Sequence, residues 1–163
     1  MDIERDLARI AAQEEALQFD SFDAAAAWEL GSALKAAAEA RGVAVTIEIR
    51  LAGQTVFLYA MPGTAPVNAD WARRKRNVVE LLGRSSYAVG LDHAQKQTSL
   101  EAQTGLPLRD YATHGGSFPL RVRGVGLVGA ITVSGLPQRD DHALIVAVLA
   151  ERLGLPLAEL ALD

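Results

Sequence analysis

The sequence contains no cysteine in 163 residues. That excludes a disulfide framework, a thiolate zinc site, an iron–sulfur cluster and a cysteine nucleophile. There is no CxxCH, so covalent attachment of a c-type haem is excluded as well. No apolar run approaches the ~20 residues of a membrane span, and the opening Met1-Asp2-Ile3-Glu4-Arg5-Asp6 carries charge where a signal peptide needs an apolar core. The cytoplasm is the expected compartment. Basic excess is missing too. The formal net charge is −4, which gives no global attraction to nucleic acid or anionic membrane. Internal repeats and low-complexity linkers are absent.

What remains is globular composition, with half of the residues hydrophobic and 22% charged. A chain this long buries roughly 70% of the surface it exposes unfolded, which suits one domain over residues 1–163. Ile3, Leu7, Ile10 and Leu17 recur at helical period over 2–18. A second, alanine-rich helix is expected over 21–41, with Ser21 as N-cap and Gly42 as its stop. Val43–Leu51 alternates as a strand with one buried face, and Ala52-Gly53-Gln54 turns it into a second strand at Thr55–Ala60. A helix over 68–83 and a weaker one over 85–102 follow. Ser117–Val122 and Val125–Ser134 read as strands, the latter apolar on both faces and so central. Pro137 opens a last helix that ends at Gly154. Hairpin-linked strands interleaved with helices predict an α+β fold, an antiparallel sheet with helices packed on it.

Gly124-Val125-Gly126-Leu127-Val128-Gly129 spells GxGxxG. A dinucleotide fingerprint needs a helix beginning inside that motif, whereas the β-prone Ala130–Ser134 follows, so a hairpin turn is expected. The basic run Arg73-Arg74-Lys75-Arg76 offers phosphate, carboxylate or an acidic partner a cationic surface. Four consecutive helical residues fan over more than one face, which favours a solvated surface with ion pairs between subunits. His114-Gly115-Gly116 is the segment most like a site. Its histidine is a candidate general base, haem ligand or weak metal ligand, and equally a turn residue capping a neighbour. The HGG of a hydrolase oxyanion loop needs a G-x-S-x-G elbow, which is missing. His93 and His142 lack the i, i+4 spacing of a zinc helix and are expected on the surface. Ser134-Gly135 before the final helix is a candidate anion loop. Asp140 and Asp141 oppose that by already complementing the helix dipole, and they read first as structural or interface charge.

Val128–Gly135, followed by Asp140-Asp141 and an alanine-rich helix, resembles the C-terminal signature of the haem-degrading-domain superfamily, which includes GlcG-like and HbpS-like proteins. Trp71-Ala72-Arg73-Arg74-Lys75-Arg76-Asn77-Val78 and Tyr111–Pro119 resemble its branch known as uncharacterised-protein family 0303. The resemblance covers nearly the whole chain. It implies a profilin/PAS-like, three-layer arrangement and a ring-like or stacked homo-oligomer. Haem is the cofactor that some relatives bind, and the superfamily name claims its degradation. The resemblance places Trp71, Arg73, Arg74, Lys75, Arg76, His114, Gly115 and Gly116 at a common pocket or subunit interface. Two functions of different class follow: a module binding haem or another carboxylate-bearing small molecule, and a non-catalytic adaptor oligomer with a protein partner. An acid–base enzyme, with His114 as base and Arg73 or Arg76 as electrostatic stabiliser, is a third reading.

Overall fold

The computed structural model describes residues 2–163. The elements are α1 (Ile3–Ala16), α2 (Ala24–Ala40), β1 (Thr46–Leu51), β2 (Gln54–Ala60), α3 (Pro66–Leu82), α4 (Ser86–Gln95), α5 (Leu100–Thr104), β3 (Ser117–Val122), β4 (Gly126–Ser134), α6 (Gln138–Leu153) and α7 (Leu157–Leu160). The four strands pair in the order β2-β1-β4-β3, every pair antiparallel, so the apolar β4 is central. This is the expected α+β architecture. The GxGxxG segment lies across the β3–β4 hairpin, where Gly124 and Gly126 both hold positive φ. Among the described residues, no helix is long and apolar enough to cross a membrane.

Alternation in the strands sorts the two faces of the sheet. Ile47, Ile49, Phe118, Ile131 and Val133 are fully buried on one face, under α2 and α6. The opposite face carries Thr46, Glu48, Arg50, Ser117 and Thr132, and α3 covers it. The expectation of a single buried face on β1 is therefore corrected. Both faces are covered, and the polar one is held by ion pairs. Arg76 donates to Glu48 at 3.0 Å, and Arg50 donates to Glu80 at 2.9 Å.

Local chemistry moves several boundaries. Asp23, not Ser21, caps α2, accepting the Ala26 N–H at 2.8 Å. The helix expected over 85–102 breaks in two. Gln97 turns into positive φ, and Ser99 starts α5 by accepting the Ala102 N–H. Short α7 carries too little periodic signal to be read from sequence.

His93 and His142 are not surface residues: they retain 6% and 0% exposure. His142 lies against the rings of Tyr87 and Phe118. Its Nε2 is 2.7 Å from Gln13 Oε1, while Gln13 Nε2 donates to the Leu160 carbonyl. Gln13 thus presents its oxygen to the ring, so His142 carries its proton on Nε2, and Nδ1 is a buried lone pair without a partner. One neutral imidazole ties α6 to α1, and through Gln13 to α7.

Burial, with Arg139 adding repulsion, depresses the His142 pKa from 6.5 to about 3. A depressed histidine contributes stability that is complete above the unfolded pKa and is lost as pH falls toward the folded one. Unfolding free energy should therefore drop by about 1.4 kcal/mol per pH unit below ~6.5 on account of this residue. Urea unfolding at pH 7.5, 6 and 5 measures it. His142→Gln keeps a donor for Gln13 and should lose that increment of slope; an unchanged slope would place the acid sensitivity elsewhere.

Candidate functional site

The basic run divides because a helix turns about 100° per residue. Arg73 turns toward the 107–111 loop and pairs with Asp70 and Asp110 at 3.3 and 2.9 Å. Arg74 bonds the Leu108 carbonyl and lies 4.4 Å from the centre of the Trp71 ring. Arg76 points under the sheet to Glu48. Lys75 alone enters the interior, 3% exposed. The ion pairs that this run makes within the chain are Arg73 with Asp70 and Asp110, Lys75 with Asp141, and Arg76 with Glu48.

Lys75 Nζ donates to Gly115 O, Val133 O and Asp141 Oδ2 at 3.0, 2.8 and 3.0 Å. Those acceptors match the three protons of an ammonium. Asp141 also accepts the backbone N–H groups of Gly135 and Leu136. The candidate anion loop at Ser134-Gly135 is thus filled by the protein's own carboxylate. Burial pushes the Lys75 pKa down and the Asp141 pKa up, and each partner's charge pulls the other back. Three acceptors around Nζ suit an ammonium facing a carboxylate. Asp140, by contrast, is exposed on the first turn of α6.

The pair also explains the glycines. His114 is exposed, but Gly115 and Gly116 are buried. Gly116 holds φ +126°, and a Cβ there would lie 2.3 Å from Lys75 Nζ and 2.5 Å from Val133 O. At Gly115 a Cβ would lie 2.2 Å from Gln138 O. Both positions are glycine so that the loop can close onto the ion pair and the start of α6.

Above the pair opens a cleft of about 230 Å³, lined by Asn68, Trp71, Lys75, His114, Ser134 and Gln138 among others. Of the residues singled out in the sequence, the structure brings Trp71, Lys75, His114, Gly115, Ser134, Gly135 and Asp141 to this place. Arg73, Arg74, Arg76, Gly116 and Asp140 are not among its lining residues. Asn68 and Gln138 were missed as site residues. Asn68 reads from sequence only as a helix cap, and Gln138 gives no signal beyond following Pro137. His114 meets Trp71 edge to face, with ring centres 5.2 Å apart. Partial burial, then Lys75 and Arg74, lower its pKa below the ordinary 6.5, so the ring is neutral at pH 7. Among the described residues, neither ring nitrogen has a hydrogen-bond partner. Among the described residues, no three His, Asp or Glu side chains gather as a metal site.

An α+β layer protein with a cleft at the junction of α3, the His114 loop and α6 is the class these features define. The family model for the haem-degrading HbpS-like proteins matches residues 22–150. The chain belongs to that family. Its sequence is 62% identical, over all of this chain and 98% of the other, to a protein of Azotobacter vinelandii named UPF0303 protein. A Serratia proteamaculans protein of the same name is 54% identical over 96% of this chain and 98% of its own. Among solved structures, the Ybr137w protein superposes with a TM-score of 0.81 at 25% identity, covering 91% of this chain and 87% of its own. A complex of PduOC with heme superposes at 0.64 and 22% identity, over 74% of this chain and 87% of that one.

Removing Lys75 leaves Asp141 buried without its counter-charge, so Lys75→Met should cost about 3–5 kcal/mol. Adding Asp141→Asn removes the orphan charge and keeps one acceptor oxygen, for the Leu136 N–H, while the longer Gly135 bond to the other oxygen is given up. The double variant should therefore recover much of that loss in urea unfolding at pH 7. Strictly additive losses would deny the pair its coupling.

Proposed function

We propose that the protein binds a flat small molecule in the His114–Trp71 cleft, with haem as the leading occupant. The observation that carries this is the His114 imidazole: neutral at pH 7, free at both nitrogens, and set against an aromatic ring at the cleft mouth. A neutral imidazole is a common haem-iron ligand, and an indole offers a surface for a planar ring. Family membership and the PduOC–heme neighbour support the choice of haem.

The donor set fits such a group on one side. His114 would supply a nitrogen ligand to the iron, Trp71 an aromatic surface, and Arg74 a positive charge for a propionate. The cleft, at about 230 Å³, is smaller than the ~300 Å³ at which ligand pockets begin to enclose a drug-sized molecule. One chain would therefore enclose only part of a macrocycle. Bound haem would supply a redox-active iron; the chain's own contribution is to ligate, orient and partly shield it.

Homo-oligomerisation belongs to the same reading. Trp28 and Leu58 are 68% and 61% exposed beside the free edge of β2. Large apolar side chains next to a free strand edge favour a partner surface. Light scattering behind size-exclusion chromatography should give a multiple of the chain mass; a monomer at all concentrations would remove this part.

Hemin titration followed by visible absorption tests the ligand. The wild type should give a saturable Soret shift at one hemin per chain, weakened at least about tenfold in His114→Ala, a loss of about 1.4 kcal/mol. Because the His114 pKa is lowered, proton competition should set in only below the ordinary histidine range. A weak, unsaturable shift identical in both proteins would reject haem.

A further inference from the structure

Two side-chain amides in the cleft are locked in orientation by the backbone. Asn68 Oδ1 accepts the Ala65 N–H at 2.9 Å, and Gln138 Oε1 accepts the Gly115 N–H at 3.1 Å. A backbone N–H can only donate, so each amide must turn its oxygen to the protein. That leaves both NH₂ groups without an acceptor among the described residues, in a cleft that both residues line.

The remaining polar groups point the same way. The Trp71 indole N–H can only donate. The Asp141 carboxylate is taken up by Lys75, Gly135 and Leu136 and offers the cleft little acceptor capacity. The Arg74 guanidinium over Trp71 adds positive potential at the mouth. The cleft is therefore rich in donors, with the unprotonated nitrogen of His114 as an acceptor beside them, and walled by an indole and an imidazole.

We infer that this cleft selects a planar aromatic ligand through a carboxylate, gripped by the Asn68 and Gln138 amide NH₂ groups while the ring lies against Trp71 and His114. It rests on the reading of the cleft as a ligand site, but not on iron. A carboxylate satisfies several donors at once, through charge-assisted hydrogen bonds. A cationic or donor-rich ligand would find few acceptors and would face Arg74. Asn68 and Gln138 are then specificity residues that no single sequence motif marks.

The test uses benzoate and benzylammonium as probes of equal shape and opposite charge. The chain has two tryptophans, so Trp28→Phe, which keeps an aromatic ring at the proposed partner surface and is checked by light scattering for unchanged assembly, leaves Trp71 as the fluorescent reporter. Benzoate should change Trp71 emission saturably, and benzylammonium should not. Gln138→Glu keeps an acceptor for the Gly115 N–H but replaces the NH₂ donor with a carboxylate oxygen. It should weaken benzoate at least about tenfold while leaving the thermal midpoint and far-UV spectrum unchanged. Asn68→Asp should act in the same direction. Equal responses to the two probes, no saturable response to benzoate, or undiminished benzoate affinity in a folded Gln138→Glu would each overturn the inference. Hemin absorption reads iron at His114, and benzoate fluorescence reads the amide edge, so either reading can fail without the other.

Discussion

The buried Lys75–Asp141 pair is the constraint on which the geometry of this protein turns. Through three hydrogen bonds, Lys75 joins α3 to the Gly115 loop, to the end of β4 and to the first turn of α6. Asp141 returns two more bonds to the backbone between β4 and α6. Desolvating two charges costs several kcal/mol per ion, so such a pair is weak evidence for net stability. Its geometric consequence is firmer. With every ammonium proton assigned an acceptor, small shifts of any of these segments leave a charge unsatisfied. The floor of the cleft is fixed in this way, and so is the need for glycine at 116, where a side chain would strike Nζ.

The same reasoning runs across the polar face of the sheet. Glu48 and Arg50 stand two residues apart on β1, and Arg76 and Glu80 four apart on α3. Period two on a strand and period four on a helix bring each set onto one face. The two sets then meet with opposite charges aligned, Arg76 on Glu48 and Arg50 on Glu80. A basic run that looks like a surface in the sequence is thus mostly consumed inside the molecule.

This difference marks how far the sequence could be read. Strand alternation, the two hairpins, the central position of β4 and the ends of most helices follow from local patterns. The His114-Gly115-Gly116 segment announced itself because histidine and paired glycines are chemically conspicuous. Pairings across the fold carry no such local signal. Nothing beside Glu48 in the chain says that Arg76 will neutralise it. His142 follows two aspartates and looks solvated, yet Gln13, 129 residues away, receives its only proton. Asn68 and Gln138 were invisible as site residues for the same reason. Their importance lies in which atom of each amide the backbone occupies, and that is a tertiary fact.

Once these internal pairings are counted, the character of the cleft follows. Arg73 and Arg76 are committed to carboxylates away from it, so the acid–base reading loses both of its electrostatic stabilisers. A general base also works best when a third group orients it, and His114 has only the edge of Trp71. What the cleft retains is a neutral imidazole, an indole, and amides whose donors face outward. Such an inventory can hold and orient a flat acceptor-bearing molecule without itself supplying the paired acid and base that turnover would need. The proposed binding role draws on these groups, and in that reading any redox chemistry comes from the bound group.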